Sequence, residues 1–587
     1  MKPNSLIVNR AFTASPETNA RARQQALNAM PPLMAMQDGV ISYQSRGHLV
    51  ILGPEDLIRL VADQIQGVTS ITLIAMGNVF SQDDEHLEKA MQAAANLTPI
   101  YLPFASLSGW LGAFELRLTA PNGDLINPAE VSAGQDHFDL VLDLNPEPVI
   151  AAELSPPGYF HVGQLADEST EQGISLASDR LVDALEQLSG MVGEFEKPAY
   201  VQVNHDICAH ADRGNIGCTR CLDVCPADAL TTDNKTLSHD PQILVNVNLC
   251  HGAGSCTTAC PTGALTFMAP GPQRWLDLLR LCLDSYQQFG GEHPAILLHA
   301  EHSEFDLESL PRHILPISLE EVGALGVEIW VSLLVHGTSY VALLLDDQTP
   351  PTLQALLKKE VSVTGKLLES LGHPASRISL VEAGQLQSNL AALDDSLKDW
   401  FGLPTGPAFT YKGKRKTLNE ALDLLYEQGD SSDEPISLPS GSPYGQVLVN
   451  AQDCTLCMSC VSICPTQALR SASEDAPVLA FTEADCVQCG LCEHSCPENA
   501  ITLEARFAPA AGMRSEPRVM KQEEPFHCIS CGKAFATQST IEKISKKLEA
   551  HPYYQGEAAK RLKMCDDCRV KDSYRELAAD PTAQLRL

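Results

Sequence analysis

The chain of 587 residues is short of positive charge. Lys and Arg number 41 against 74 Asp and Glu, a net charge of −33. That balance argues against general nucleic-acid binding, which needs a positive surface. GxGxxG and GxxxxGK[ST] are both missing, so nothing reads as a nucleotide site. HExxH and GxSxG are missing too. No apolar run approaches the ~20 residues that a membrane span needs, so no membrane insertion is expected. The start, MKPNSLIVNRAFTASP, lacks an apolar signal core and a twin-arginine pair, which predicts a cytoplasmic protein. No cysteine lies between Cys282 and Cys454.

Cysteine elsewhere is abundant and ordered. Of twenty cysteines, fifteen fall into two blocks, and four of these precede proline. In a cytosolic chain, CxxC spacing points to metal rather than disulfides. The second block reads Cys454-x2-Cys457-x2-Cys460-x3-Cys464-Pro465, then Cys486-x2-Cys489-x2-Cys492-x3-Cys496-Pro497. Both halves resemble the C-x2-C-x2-C-x3-C-P run of bacterial two-cluster ferredoxins. In that fold the first three cysteines of a run hold one cluster and the fourth crosses to the other. Carried over, the resemblance implies one [4Fe–4S] cluster on Cys454, Cys457, Cys460 and Cys496. A second would sit on Cys486, Cys489, Cys492 and Cys464.

The first block varies the same device. It reads Cys208-x9-Cys218-x2-Cys221-x3-Cys225-Pro226, then Cys250-x5-Cys256-x3-Cys260-Pro261, with Ala253 where a second cysteine would stand. The same rule gives Cys208, Cys218, Cys221 and Cys260 to a [4Fe–4S] cluster and leaves Cys225, Cys250 and Cys256. Such a three-cysteine set resembles the [3Fe–4S] site of seven-iron ferredoxins. The alternatives are a [4Fe–4S] cluster with His251 or water as fourth ligand, or an empty site.

The last four cysteines form Cys528-x2-Cys531 and Cys565-x2-Cys568, two knuckles suited to a tetrahedral thiolate site. Helical sequence between them predicts a treble-clef-like zinc module rather than a zinc ribbon; an iron centre is the alternative. Lone Cys282 lies on an apolar helical face and reads as core.

The remaining sequence predicts a multidomain α/β and α+β protein. Its parts would be a partly disordered N-terminus (1–45), an α/β domain without cofactor motif (46–195), a ferredoxin-like module (196–270), a second α/β domain (271–400), a helix and linker (401–444), a second ferredoxin-like module (445–505) and the four-cysteine module (506–587). Each ferredoxin-like module is expected as a βαβ pseudo-two-fold dicluster unit.

Strands are expected at 49–52, 70–76, 138–144, 294–298, 327–335, 340–345 and 377–381. Helices are expected at 54–66, from Pro272 and at 352–371. Thr417-x-x-Glu420 reads as a capping box. Lys412, Lys414, Arg415 and Lys416 form a basic run, read as solvated surface or a dock for an acidic partner. A basic excess from 506 to 575 is read the same way. His293, His299, His302, His313, His336 and His373 lack ligand spacing and read as surface or core.

The stretch from 312 to 383, ending KLLESLGHPASRISLVEA, resembles the delta subunit linking hydrogenase to heterodisulfide reductase, without that family's cysteines. The cysteine regions together, with HCISCGKAFATQSTIEKI and RLKMCDDCRVKD, resemble a family of large bacterial 4Fe–4S proteins. That resemblance implies formate dehydrogenase or another oxidoreductase as redox partner. Electron transfer is the expected function. The rivals are an assembly scaffold for a metalloenzyme and an oxidoreductase subunit with its own active site.

Overall fold

The computed structural model describes residues 18–31, 39–77, 84–163, 179–210, 217–232, 242–400, 406, 410–472 and 477–580. Much of the N-terminus expected to be disordered, residues 1–17 and 32–38, lies outside these.

Thr18–Ala29 is a helix that packs on the middle domain. Ala22, Ala26, Leu27 and Met30 join the core around the helix Pro272–Gln288. Arg23, fully buried, donates to the carbonyls of Pro311 at 3.2 Å and Ile314 at 3.4 Å. The helix is alanine-rich, so its own sequence announces no apolar stripe. Tertiary burial fixes it.

The first α/β domain holds a parallel sheet in the order Ser70–Ala75, His48–Gly53, Leu140–Asp143, Tyr159–His161. Val40–Ser45 pairs antiparallel with Gly193–Pro198, carrying the chain to the first cysteine block. The second α/β domain has a parallel sheet in the order Ile314–Leu319, Ala295–Ala300, Val341–Leu345, Ile378–Glu382. One face packs on Pro272–Gln288, Val327–Val335 and Pro351–Ser370; the other packs on Leu386–Leu397. Cys282 is buried in the first of these cores.

Three expectations need correction. Val327–Val335 is a helix, not a strand. All nine residues are buried, so no polar face marks a helical period, and its β-branched residues imitate a strand. Ile314–Leu319 is a strand where none is expected, because Pro316 inside it argues against one. The helix at the basic run starts at Lys414 with Gly413 as N-cap, so Thr417 caps nothing. Thr417 is buried one turn inside, and its Oγ1 accepts from the Lys412 N–H at 3.0 Å.

The two cysteine blocks share one topology. In the first, Val201–Val203 pairs antiparallel with Leu265–Phe267, and Leu230–Thr232 with Ile243–Val245. In the second, Gly445–Val449 pairs with Ile501–Phe507, and Leu469–Ser471 with Val478–Phe481. Outer strand thus pairs with outer, and inner with inner. In the second block Arg518–Gln522 extends the inner pair, leading into the C-terminal module.

Candidate metal centres

Three of the four cysteine loops are shaped by residues in the left-handed region. Two residues after the first cysteine stand Leu456 (φ 54°), Gln488 (φ 53°) and Gly252 (φ 78°). Two residues further on stand Met458 (φ 62°), Gly490 (φ 84°) and Gly254 (φ 71°). Each of the latter opens a short helix bearing the third cysteine: Cys460, Cys492 or Cys256. Ala253 therefore occupies the same place in the loop as Cys457 and Cys489. The turns after Cys-Pro repeat as well, with Asp228 (φ 48°), Gly263 (φ 75°), Gln467 (φ 56°) and Asn499 (φ 50°) three residues past each cysteine. Non-glycine residues rarely adopt this conformation. Its recurrence at matched positions marks a repeated, constrained device.

The loops surround hollows of the expected composition. One is lined by Cys464, Cys486, Cys489 and Cys492. Another is lined by Cys454, Cys457, Cys460 and Cys496. The fourth cysteine of each run thus lies with the first three of the other. Charge interactions group the first block in the same manner. Burial, then Cys260, Cys218 and Cys208, raises the Cys221 thiol pKa. Burial, then Cys250 and Cys225, raises that of Cys256. Buried thiols resist ionising unless a cationic group neutralises them. Soft thiolates around a hollow suit iron–sulfur clusters.

Backbone amides point at the sulfurs. Ala229 N–H donates to Cys225 Sγ and Ala500 N–H to Cys496 Sγ, both at 3.3 Å. Leu456 N–H donates to Cys454 Sγ at 3.4 Å. Such bonds favour the ionised sulfur and tune a bound cluster.

Cations from distant parts of the chain reach three first-cysteine carbonyls. Lys197 Nζ donates to Cys250 O at 2.8 Å, and Arg415 Nη2 to Cys486 O at 2.7 Å. Lys521 Nζ donates to Cys454 O. Lys197 also donates to Asn248 O at 2.8 Å and lies over the Tyr43 ring. Sequence spacing could not reveal these residues, because each belongs to another segment. His251, a candidate fourth ligand, has a buried Nε2 with no hydrogen-bond partner.

The basic run is largely an internal brace, which corrects the surface reading. Lys414 is buried and donates to Thr257 O and Thr258 O, both at 2.7 Å. Arg415 stacks on the Tyr444 ring at 4.6 Å. Lys412 pairs with Glu420 at 2.9 Å, and only Lys412 and Lys416 of the run are exposed. Part of the C-terminal basic excess is taken up as well: half-buried Lys521 and Lys543 reach the Cys454 loop. Of the six histidines, His299, His336 and His373 are buried. His302 lies between Glu321 at 3.7 Å and Asp346 at 3.5 Å.

Cys528, Cys531, Cys565 and Cys568 are different in scale. Their sulfurs all lie within 4.8 Å of one another, the one such group of ligand atoms among the described residues. Cys531 Sγ is 3.7 Å from Cys565 Sγ. A tetrahedron of ~2.3 Å zinc–sulfur bonds has edges of about 3.8 Å. The donors fit a single tetrahedral ion.

The first pair sits on the hairpin Pro525–His527 with Ala534–Thr537. The second pair sits at the start of the helix Asp566–Ala579. Burial opposes ionisation of Cys528, but N–H groups of Cys565, Cys531 and Ser530 outweigh it and bring its pKa to about 6. The module rests on the second cysteine block. Thr537 Oγ1 and Thr540 Oγ1 donate to Thr455 O at 2.7 and 2.9 Å.

Residues 216–264 and 453–500 match the 4Fe-4S dicluster domain family. The first match takes in Cys218, Cys221, Cys225, Cys250, Cys256 and Cys260 but starts beyond Cys208. No curated protein matches the chain. The chain thus carries two segments of the 4Fe-4S dicluster type, each with its cysteine loops.

Proposed function

We propose that this protein relays single electrons between a redox enzyme and an acceptor. The observation that carries the reading is the pairing of two dicluster domains in one chain, each with crossed cysteine sets. Bound iron–sulfur clusters supply one-electron chemistry over a wide range of potentials. The chain's own residues hold the sulfurs, donate N–H bonds to them, and place Lys197, Arg415 and Lys521 beside them. Cys225, Cys250 and Cys256 would hold [3Fe–4S], or [4Fe–4S] completed by His251 or water. Zinc is the ion we assign to the C-terminal four cysteines, where it would stabilise the module without catalysing.

Formate dehydrogenase is the partner we propose first, on the resemblance carried by the three cysteine regions. Residues 312–383, which hold no cysteine, are proposed as a relative of the delta subunit, serving as scaffold. The relay is tested with anaerobically purified chain and a soluble formate dehydrogenase. Formate-dependent bleaching of the cluster absorbance, reversed by an acceptor, is expected. Clusters that dithionite reduces but no dehydrogenase tested can reduce would contradict the relay. Partner binding that survives cluster removal would point to a scaffold.

A further inference from the structure

The two ferredoxin modules lie far apart in sequence, and nothing in their spacing requires them to meet. In the fold they do. Gly217, beside Cys218, packs so closely on the second module that a Cβ built there would lie 3.0 Å from Leu491 Cδ2. Leu491 stands between Cys489 and Cys492.

Two consecutive residues hold the contact. Lys414 binds the carbonyls of Thr257 and Thr258, on the helix of the first module that carries Cys256. Arg415 binds those of Ala484 at 2.9 Å and Cys486 at 2.7 Å in the second module. Asn419, one turn on, adds a bond to Ala484 O at 3.0 Å. Arg220, next to Cys221, reaches Gly441 O just ahead of the second module.

The placement of these cations is informative. Lys414 and Arg415 open the helix Lys414–Gln428, whose first turn has no acidic residue. Cations at a helix N-terminus oppose the helix dipole. They gain here by donating hydrogen bonds to carbonyls of two different modules, with Glu328 3.8 Å from Lys414. Breaking such buried charge contacts is costly. The helix start is therefore a clamp between modules.

We infer that the modules form one continuous series of four cluster sites, joined where the Cys218 loop meets the Cys489 loop and held there by Lys414 and Arg415. This rests on the relay reading. The order is Cys225/Cys250/Cys256, then Cys208/Cys218/Cys221/Cys260, then Cys464/Cys486/Cys489/Cys492, then Cys454/Cys457/Cys460/Cys496. Cys208, Cys221, Cys256 and Cys260 share one packed core in the first module, and Cys460, Cys486 and Cys492 share one in the second, which links neighbours within each. The series ends on one side at Cys457, which is exposed. The other end, at Cys250, is enclosed. A Cβ at Gly252 would lie 2.8 Å from the Tyr200 ring, and one at Gly254 2.4 Å from Ala324 N.

Iron analysis and EPR of the full-length, dithionite-reduced protein test the inference. Wild type should show signals broadened and fast-relaxing through coupling between modules. Cys489→Ser should keep the iron of the first module, while that module's signal narrows and half-saturates at several-fold lower microwave power. Arg415→Gln and Lys414→Gln, which leave every cysteine in place, should shift the spectrum the same way at unchanged iron content. Full iron with a wild-type spectrum equal to the sum of uncoupled modules overturns the junction and leaves the relay standing. Iron far below about 15 atoms per chain contradicts the cluster reading as well as the junction.

Discussion

At the residue scale, a missing ligand and an added cation should be separable. Ala253 sits in a loop whose backbone already matches those of Cys457 and Cys489. Ala253→Cys should therefore convert an oxidised [3Fe–4S] EPR signal to a [4Fe–4S] signal, with iron content up by about one atom per chain. A wild-type protein with no [3Fe–4S] signal would contradict that assignment.

Lys197 tests the cations. Lys197→Met should lower the midpoint potential of the cluster on Cys225, Cys250 and Cys256 in a redox titration and leave the other clusters unmoved. An unchanged potential would make Lys197 a purely structural strut. The cysteines were legible in the sequence because ligand spacing is local. Lys197, Arg415 and Lys521 were not, because each reaches its loop through tertiary packing. Lys414 and Arg415 misled for a related reason. A charge run suggests solvent, and only the fold shows that carbonyls of two modules replace it.

At the element scale, the loop helix Ser255–Ala259 depends on a close backbone approach. Gly254 is its left-handed N-cap and faces the turn at Gly323 and Ala324, where no side chain fits. Gly254→Ala should lower the iron held by the three-cysteine site while the second module keeps its full complement. Iron analysis with EPR of the variant checks this, and unchanged iron would show that the turn can yield.

Most strands of the two parallel sheets were legible as short apolar runs between turn residues. The failures were elements whose burial hides the period. Val327–Val335 is enclosed on all sides, and Ile314–Leu319 carries a proline within a strand. Thr18–Ala29 failed differently, since its small apolar face has meaning only against Pro272–Gln288. The capping-box pattern at Thr417 and Glu420 is real in sequence, but the helix starts four residues earlier, with Gly413 as N-cap.

At the scale of the whole molecule, the segments brace the cluster loops from several sides. The strand Gly193–Pro198, paired with Val40–Ser45, supplies Lys197, the linking helix supplies Lys414 and Arg415, and the C-terminal module holds the Cys454 loop through Thr537, Thr540 and Lys543. Removing the ion from Cys528, Cys531, Cys565 and Cys568 should unfold that module, as chelation does to small thiolate-closed domains. It should also speed loss of the neighbouring cluster in air, followed as bleaching of visible absorbance. Chelation with no effect on bleaching would mean that the module does not protect the Cys454 loop. None of this bracing can be read from motif spacing, which treats each block as separate.

The most direct test of the central claim is metal and sulfide analysis of anaerobically purified, full-length protein. The account predicts about 15 iron atoms, about 16 acid-labile sulfides and one zinc per chain. Zinc alone on a folded chain that takes up no iron on reconstitution would contradict it.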